Sequence, residues 1–298
     1  MNTHNDMQTQ FPNTVGIIGY GKLGSVLAQH FSGLCELSWI VIKNNASKNV
    51  LGLSTSILDS IQQIQVIPQL IILAVPDDEI EPCSAQLSMH LKQNTDTLII
   101  HCSGALGKDI LQSCKNKGAR IAAIHPFQTF FGQVNLQGIP WSIDADEENQ
   151  SLCSRFIEQV KGVPIVLSED ILRDKSLYHI AAVISSNFLI VLTQLASDLC
   201  KTADIDPSIL LPLIMKTSLQ NALHSLENNK APIEALTGPI KRGDTQTINK
   251  HISVLEYNSD ILKIYTALTN YALHSLELQQ HNTKNHADLE RLARILNT

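Results

Sequence analysis

The sequence predicts an α/β chain in two parts, an N-terminal doubly wound, mostly parallel sheet followed by an all-α domain. Three observations lead there. Twelve of the fourteen glycines precede residue 163, so turns punctuate the first half and not the second. Short β-branched runs alternate with helical stretches through that half, which is the pattern of βαβ units. After about Ser168 the spacing changes to long amphipathic stretches.

Taken in order, residues 1–13 are polar and predict a disordered tail. Strands are expected at 15–18, 37–42, 70–74, 97–101 and 121–124, and more weakly at 141–143 and 164–166. A dinucleotide-binding type of domain would span 14–167. Helices are expected at 171–200, 207–226, 247–277 and 287–296, giving a helical substrate and dimerisation domain over 168–298. Asp206-Pro207 and residues 228–232 carry its loop signals.

With 298 residues, 44% of them apolar, the chain can bury two cores without staples. A net charge of −6 offers nothing to a polyanion, so neither nucleic acid nor an anionic membrane surface is an expected partner. The six cysteines form no CxxC pair and no Cys/His cluster, which predicts free thiols in a reducing, cytoplasmic setting and no metal site. The first dozen residues lack the order of a signal peptide. The longest apolar run, 180–196, contains Ser185, Ser186, Asn187, Thr193 and Gln194, too polar a set for an expected membrane span.

Gly19-Tyr20-Gly21-Lys22-Leu23-Gly24 follows the first strand and opens a helical segment. In such a loop the first glycine makes the tight turn, the second admits a pyrophosphate and the third packs helix on strand. The helix N-terminus then presents free N–H groups to the phosphates. At the end of the second strand an NAD enzyme places an acid for the ribose 2′-hydroxyl. This sequence has Lys43, Asn44, Ser47 and Lys48 there and no acid, which suits a 2′-phosphate and makes NADP the expected cofactor; solvated loop lysines are the plainer alternative. Ala74-Val75-Pro76 and Ser103-Gly104 end two further strands on the same carboxyl edge and join the expected cofactor site, with Asp77 and Asp78 expected to cap the next helix.

At these residues the chain resembles the superfamily of 6-phosphogluconate dehydrogenase, pyrroline-5-carboxylate reductase and ketopantoate reductase, in which a Rossmann domain precedes a helical one. His101-Cys-Ser-Gly-Ala-Leu-Gly107, His125-Pro-Phe-Gln-Thr-Phe130, Tyr178-His-Ile-Ala-Ala-Val183 with Asn187, and Leu236-Thr-Gly-Pro-Ile-Lys-Arg-Gly-Asp244 are similar to a bacterial group of Rossmann-like proteins whose C-terminal half is a domain of unknown function. The resemblance covers about residues 14–275. It implies an NADP-dependent oxidoreductase without an assigned substrate. The lysine and asparagine pair of the hydroxyacid dehydrogenases is missing; Lys175-Ser-Leu-Tyr-His179 stands in its place. Relatives pair through their helical domains, and the apolar runs 209–215 and 261–273 predict a homodimer here.

Several polar residues stand where chemistry could use them. His125 should emerge at the carboxyl edge, as a donor to a carbonyl or imine or as a structural histidine. On one side of the helix expected at 171–200 lie Lys175, His179, Ala182 and Ser186, with Asn187 at the flank and Leu177, Ile180, Ile184 and Phe188 opposite. Lys175 or His179 would exchange the proton, Asn187 would position a small-molecule substrate and Ser186 would line its site; a solvated or helix-packing face is the alternative. Thr237 and Arg242 could hold an anionic substrate group, in a loop whose Asp244 could equally cap the next helix. The expected reaction is hydride transfer between the nicotinamide and a small carbonyl, imine or hydroxy compound. Reduction of another cofactor by NADPH, or a silent NADP-binding regulator, are the alternatives.

Overall fold

The computed structural model describes residues 12–43, 54–132, 134–173 and 175–279. Asn44, Ser47 and Lys48, the helix expected at 287–296 and residues 1–11 lie outside them. Asn13, expected in the tail, is already tied to the sheet: its N donates to Gln69 Oε1 at 2.7 Å.

Among the described residues eight strands form one sheet, β1 (Thr14–Ile18), β2 (Glu36–Val41), β3 (Ser56–Leu58), β4 (Leu70–Leu73), β5 (Leu98–His101), β6 (Arg120–Pro126), β7 (Pro140–Ala145) and β8 (Val163–Val166), in the order β3-β2-β1-β4-β5-β6-β7-β8. All neighbours are parallel except β6 and β7. The order reverses between β1 and β4, so ligands are expected at the carboxyl ends of those strands. The central strands read as unbroken apolar runs because both faces are covered, and every residue of β4 and β5 is buried. The sequence passes over β3, whose Ser-Ile-Leu is too short to carry a period.

The helices of this part are α1 (Lys22–Phe31), α2 (Asp77–Ser88), α3 (Gln112–Lys115) and α4 (Glu147–Gln159). Phe31 of α1 and Phe156 of α4 stack at 5.6 Å between ring centres in a core over one face, with Ile17, Ile40 and Trp141. Ile80 and Leu87 of α2 pack with Trp39, Ile71 and Ile99 over the other.

The stretch expected as one helix over 171–200 is three, α5 (Glu169–Arg173), α6 (Lys175–Ser185) and α7 (Asn187–Thr202). Ser186 marks the break between the last two. Its Oγ donates back to Ala182 O at 2.6 Å, a local bond that competes with the helical ladder. The contact boundary also falls later than the expected 167/168: the compact units are Met1–Phe188 and Leu189–Thr298. The reason lies in α6, whose first turns bond to the sheet.

The second unit holds most of α7, then α8 (Pro207–Glu227), α9 (Gly238–Arg242), α10 (Thr245–Leu255) and α11 (Ser259–Gln279). The helix expected over 247–277 thus breaks before Ser259. Asp206 caps α8 by accepting from Ser208 N at 2.8 Å, and Asp244 caps α10 by accepting from Thr247 N at 3.1 Å. The buried core is small: Ile248, Leu273 and Leu276, with Ile233, Leu236, Ile240, Ile252 and Tyr265 partly covered around them.

Candidate active site

The glycine-rich loop has the mechanics that its spacing predicts. Gly19 takes a positive φ of 98°, and a Cβ there would overlap Ala74 O. A Cβ on Gly24 would overlap Gly19 O, so the third glycine brings α1 against the turn. Gly21 alone of the three faces open space, with nothing within 4 Å of where its Cβ would stand. Backbone can therefore be approached there, as a pyrophosphate requires. Gly21 is also the N-cap of α1, no side chain caps that end and no acid lies in its first turn, which leaves the helix N–H groups to a ligand. Tyr20 and Leu23 pack partly into the core, and Lys22 Nζ stands 5.7 Å from the Phe131 ring centre.

Ala74, Val75 and Pro76 run from β4 to α2, with Ala74 N donating to Ile18 O at 2.8 Å. Asp77 and Asp78 are not caps: the N-cap is Pro76 and the acids occupy the first turn, where the dipole favours them. Glu79 in the same turn reaches Lys43, its Oε1 2.7 Å from Lys43 Nζ. That hydrogen bond raises the Lys43 pKa above its ordinary value.

The loop after β5 is organised by His101, which is fully buried. Ser103 N donates to His101 Nδ1 at 3.2 Å, so Nδ1 carries the lone pair and Nε2–H donates to Gly107 O at 3.1 Å. Burial lowers this imidazole's pKa to about 4. Ser103 Oγ accepts from Ala105 N at 3.2 Å and Leu106 N at 3.1 Å, which closes the turn.

Gly104 lies under two imidazoles. A Cβ on it would overlap His179 Nδ1 and stand 2.8 Å from His125 Cε1. Absence of a side chain there lets the end of β6 and the second turn of α6 converge, a role the spacing did not announce. The two rings are 5.5 Å apart, with Phe127 5.2 Å from His125 and Tyr178 5.3 Å from Phe127. The buried Nδ1 atoms of both histidines have no hydrogen-bond partner among the described residues. Burial, and then the neighbouring His179, lower the His125 pKa to about 4.

β7 supplies what sequence reasoning missed. Trp141, Ile143 and Ala145 enter one core, so Ser142 and Asp144 face the other way, as period-two alternation demands. Ser142 pairs in register with His125, and its Oγ is 3.3 Å from Tyr178 Oη. Asp144 accepts from Lys108 N at 3.0 Å and pairs with Lys175 Nζ at 3.3 Å; Lys175 Nζ also donates to Leu106 O at 2.8 Å. Both side chains are 5% exposed. Burial lowers the Lys175 pKa, with Asp144 opposing. Lys175, expected to exchange protons, thus holds α6 on the loop 101–108. A lone acid in the apolar run 140–145 was the available signal.

Structure therefore brings together Gly104, His125, Lys175, Tyr178 and His179. It does not bring Asn187 to them: that side chain is exposed, beyond the break, 2.9 Å from Ser186 Oγ. Thr237 and Arg242 are exposed in the second unit. There Thr237 lines a cleft of about 790 Å³ with Ser218, Asn221, Tyr271 and Ser275. No group of three or more potential metal ligands occurs among the described residues.

Residues 1–126 match the model of a Rossmann-like domain and residues 139–272 that of a domain of unknown function, DUF2520. No curated protein matches. Among solved structures, a Bacteroides fragilis protein provisionally assigned as an NADP oxidoreductase is 22% identical, with a TM-score of 0.72 over 88% of this chain and 98% of that one. An imine reductase from Myxococcus stipitatus in complex with NADP+ is 15% identical, with a TM-score of 0.66 over 94% and 99%. Pyrroline carboxylate reductase from Plasmodium falciparum, with NADP bound, is 12% identical, with a TM-score of 0.59 over 97% and 100%. At such identities the likeness is one of fold. The two matched segments make this a chain of a Rossmann-like domain followed by a DUF2520 domain.

Proposed function

We propose that this protein is an NADP-dependent reductase acting on the C=O or C=N bond of a small molecule. The observation that carries the reading is the convergence of His125 and His179 on Gly104, at the carboxyl edge of the sheet that bears the glycine-rich loop. The residues present fit the cofactor. Gly21 and the uncapped α1 N-terminus suit the pyrophosphate, and Lys43 suits the 2′-phosphate. NADPH bound there supplies the hydride. Imine reductases and a pyrroline carboxylate reductase with the same fold favour a C=N substrate.

His125, kept uncharged by burial, offers an N–H to the substrate's oxygen or nitrogen, the work of a neutral imidazole electrophile. His179 exchanges the proton on that atom. Lys175 positions His179, one turn further along α6, through its bonds to Asp144 and Leu106 O. NADPH oxidation against a panel of small ketones and cyclic imines tests the reading. His179→Ala should lower turnover about a hundredfold, with NADPH affinity unchanged. Normal turnover in both His179→Ala and His125→Ala would overturn it.

We also propose that the protein pairs with a second copy in the cytoplasm. All six cysteines are free, as a reducing compartment leaves them. Counted through its break, Lys175–Thr202 is long and apolar enough to cross a bilayer, an 18-residue window of it reaching a mean hydropathy of 1.7. Lys175 and His179 nonetheless belong to the sheet's site, while Leu177, Ile180, Ile184 and Phe188 are exposed. An amphipathic helix with its polar side occupied suits a protein partner better than lipid.

A further inference from the structure

We propose that Glu79 sets the preference between NADP and NAD by competing with the cofactor's 2′-phosphate for Lys43. The inference rests on the cofactor reading above. Lys43 stands at the carboxyl end of β2, where the adenosine ribose of a Rossmann domain lies. In NAD enzymes the acid that bonds the ribose 2′-hydroxyl comes from that strand end. The residues after β2 contain none. Here the fold delivers one from elsewhere, since the first turn of α2 opens on the same sheet edge and places Glu79 Oε1 2.7 Å from Lys43 Nζ.

This arrangement acts differently on the two cofactors. With NAD, the Lys43–Glu79 pair can persist, and the carboxylate has a free oxygen for the 2′-hydroxyl. With NADP, the phosphate takes the ammonium while a carboxylate stands within a few ångströms of it, beside Asp77 and Asp78 in the same turn. Like charges at that spacing repel. The side chains are 79% and 39% exposed, so solvent and salt screen the effect to a severalfold one.

Glu79→Gln keeps the shape and removes the charge. Fluorescence titration should show NADPH Kd falling about three- to tenfold, NADH Kd unchanged or weaker, and a gain that shrinks at high salt. Phosphorus NMR of bound NADP gives a reading free of turnover: the 2′-phosphate should titrate at lower pH in the variant than in the wild type, because a neighbouring carboxylate raises its pKa. Glu79→Ala should shift both measurements the same way. Wild-type protein that binds no NADPH would overturn the cofactor reading and this inference together. NADPH binding with an unchanged NADPH/NADH ratio and an unshifted phosphate in both variants would overturn the role of Glu79 alone.

Discussion

At the scale of single residues, the buried polar groups divide between those that build the site and those that face it. His101 builds. Its two nitrogens are spent on Ser103 N and Gly107 O, and this fixed tautomer shapes the loop carrying Gly104. The consequence is a pH dependence of stability. Its folded pKa of about 4 lies below the ordinary imidazole value of 6.5, so the unfolded chain binds more protons between the two. The stabilisation is present in full above pH 6.5 and is lost as pH falls through about 4, by about 3 kcal/mol for this group. Urea unfolding at pH 7 and pH 4.5 should show that loss, and His101→Gln should remove this group's share of it, leaving that of His125, whose pKa is lowered alike. Equal slopes in variant and wild type would assign the acid sensitivity elsewhere. Asp144 and Lys175 build too: Asp144→Asn would leave a buried ammonium without its counter-charge, at a cost of about 3–5 kcal/mol in the same measurement.

At the scale of elements, close approach decides the nucleotide loop. Gly24→Ala would set a methyl against the backbone oxygen of Gly19, which cannot rotate away as a side chain could. The turn and α1 must then separate, and destabilisation of about 1–3 kcal/mol with loss of NADPH binding is expected by thermal melting and titration. All of this was legible, since strand, glycine spacing and helix are local. The polar stripe of α6 was legible as a pattern but not in its meaning. Lys175 and His179 do share a face, yet one anchors while the other meets His125, because the partners that divide the roles come from β6, β7 and the loop after β5. The break at Ser186, which removes Asn187 from the site, depends on a bond of one serine to its own helix.

At the scale of the whole molecule, the second unit carries more apolar surface than its core consumes. Ile209, Leu213, Ile190 and Tyr271 are 80%, 73%, 71% and 73% exposed. We propose that this area meets a second copy, in an isologous pairing that closes it. Light scattering at micromolar concentration should give a dimer mass, and Leu213→Asp with Ile209→Asp should shift it toward monomer; a monomeric wild type would reject the pairing. The sequence by itself determined the class of fold, the order of its parts, the glycine loop and the candidate histidines, because periodicity and turn chemistry are properties of neighbours along the chain. Only the tertiary structure decided that Lys175 anchors, that Gly104 seats two imidazoles, that Asp144 sits buried among cations and that Glu79 meets Lys43. Those contacts join residues far apart in sequence, and a parallel sheet brings them together by aligning the carboxyl ends of strands that no local pattern relates.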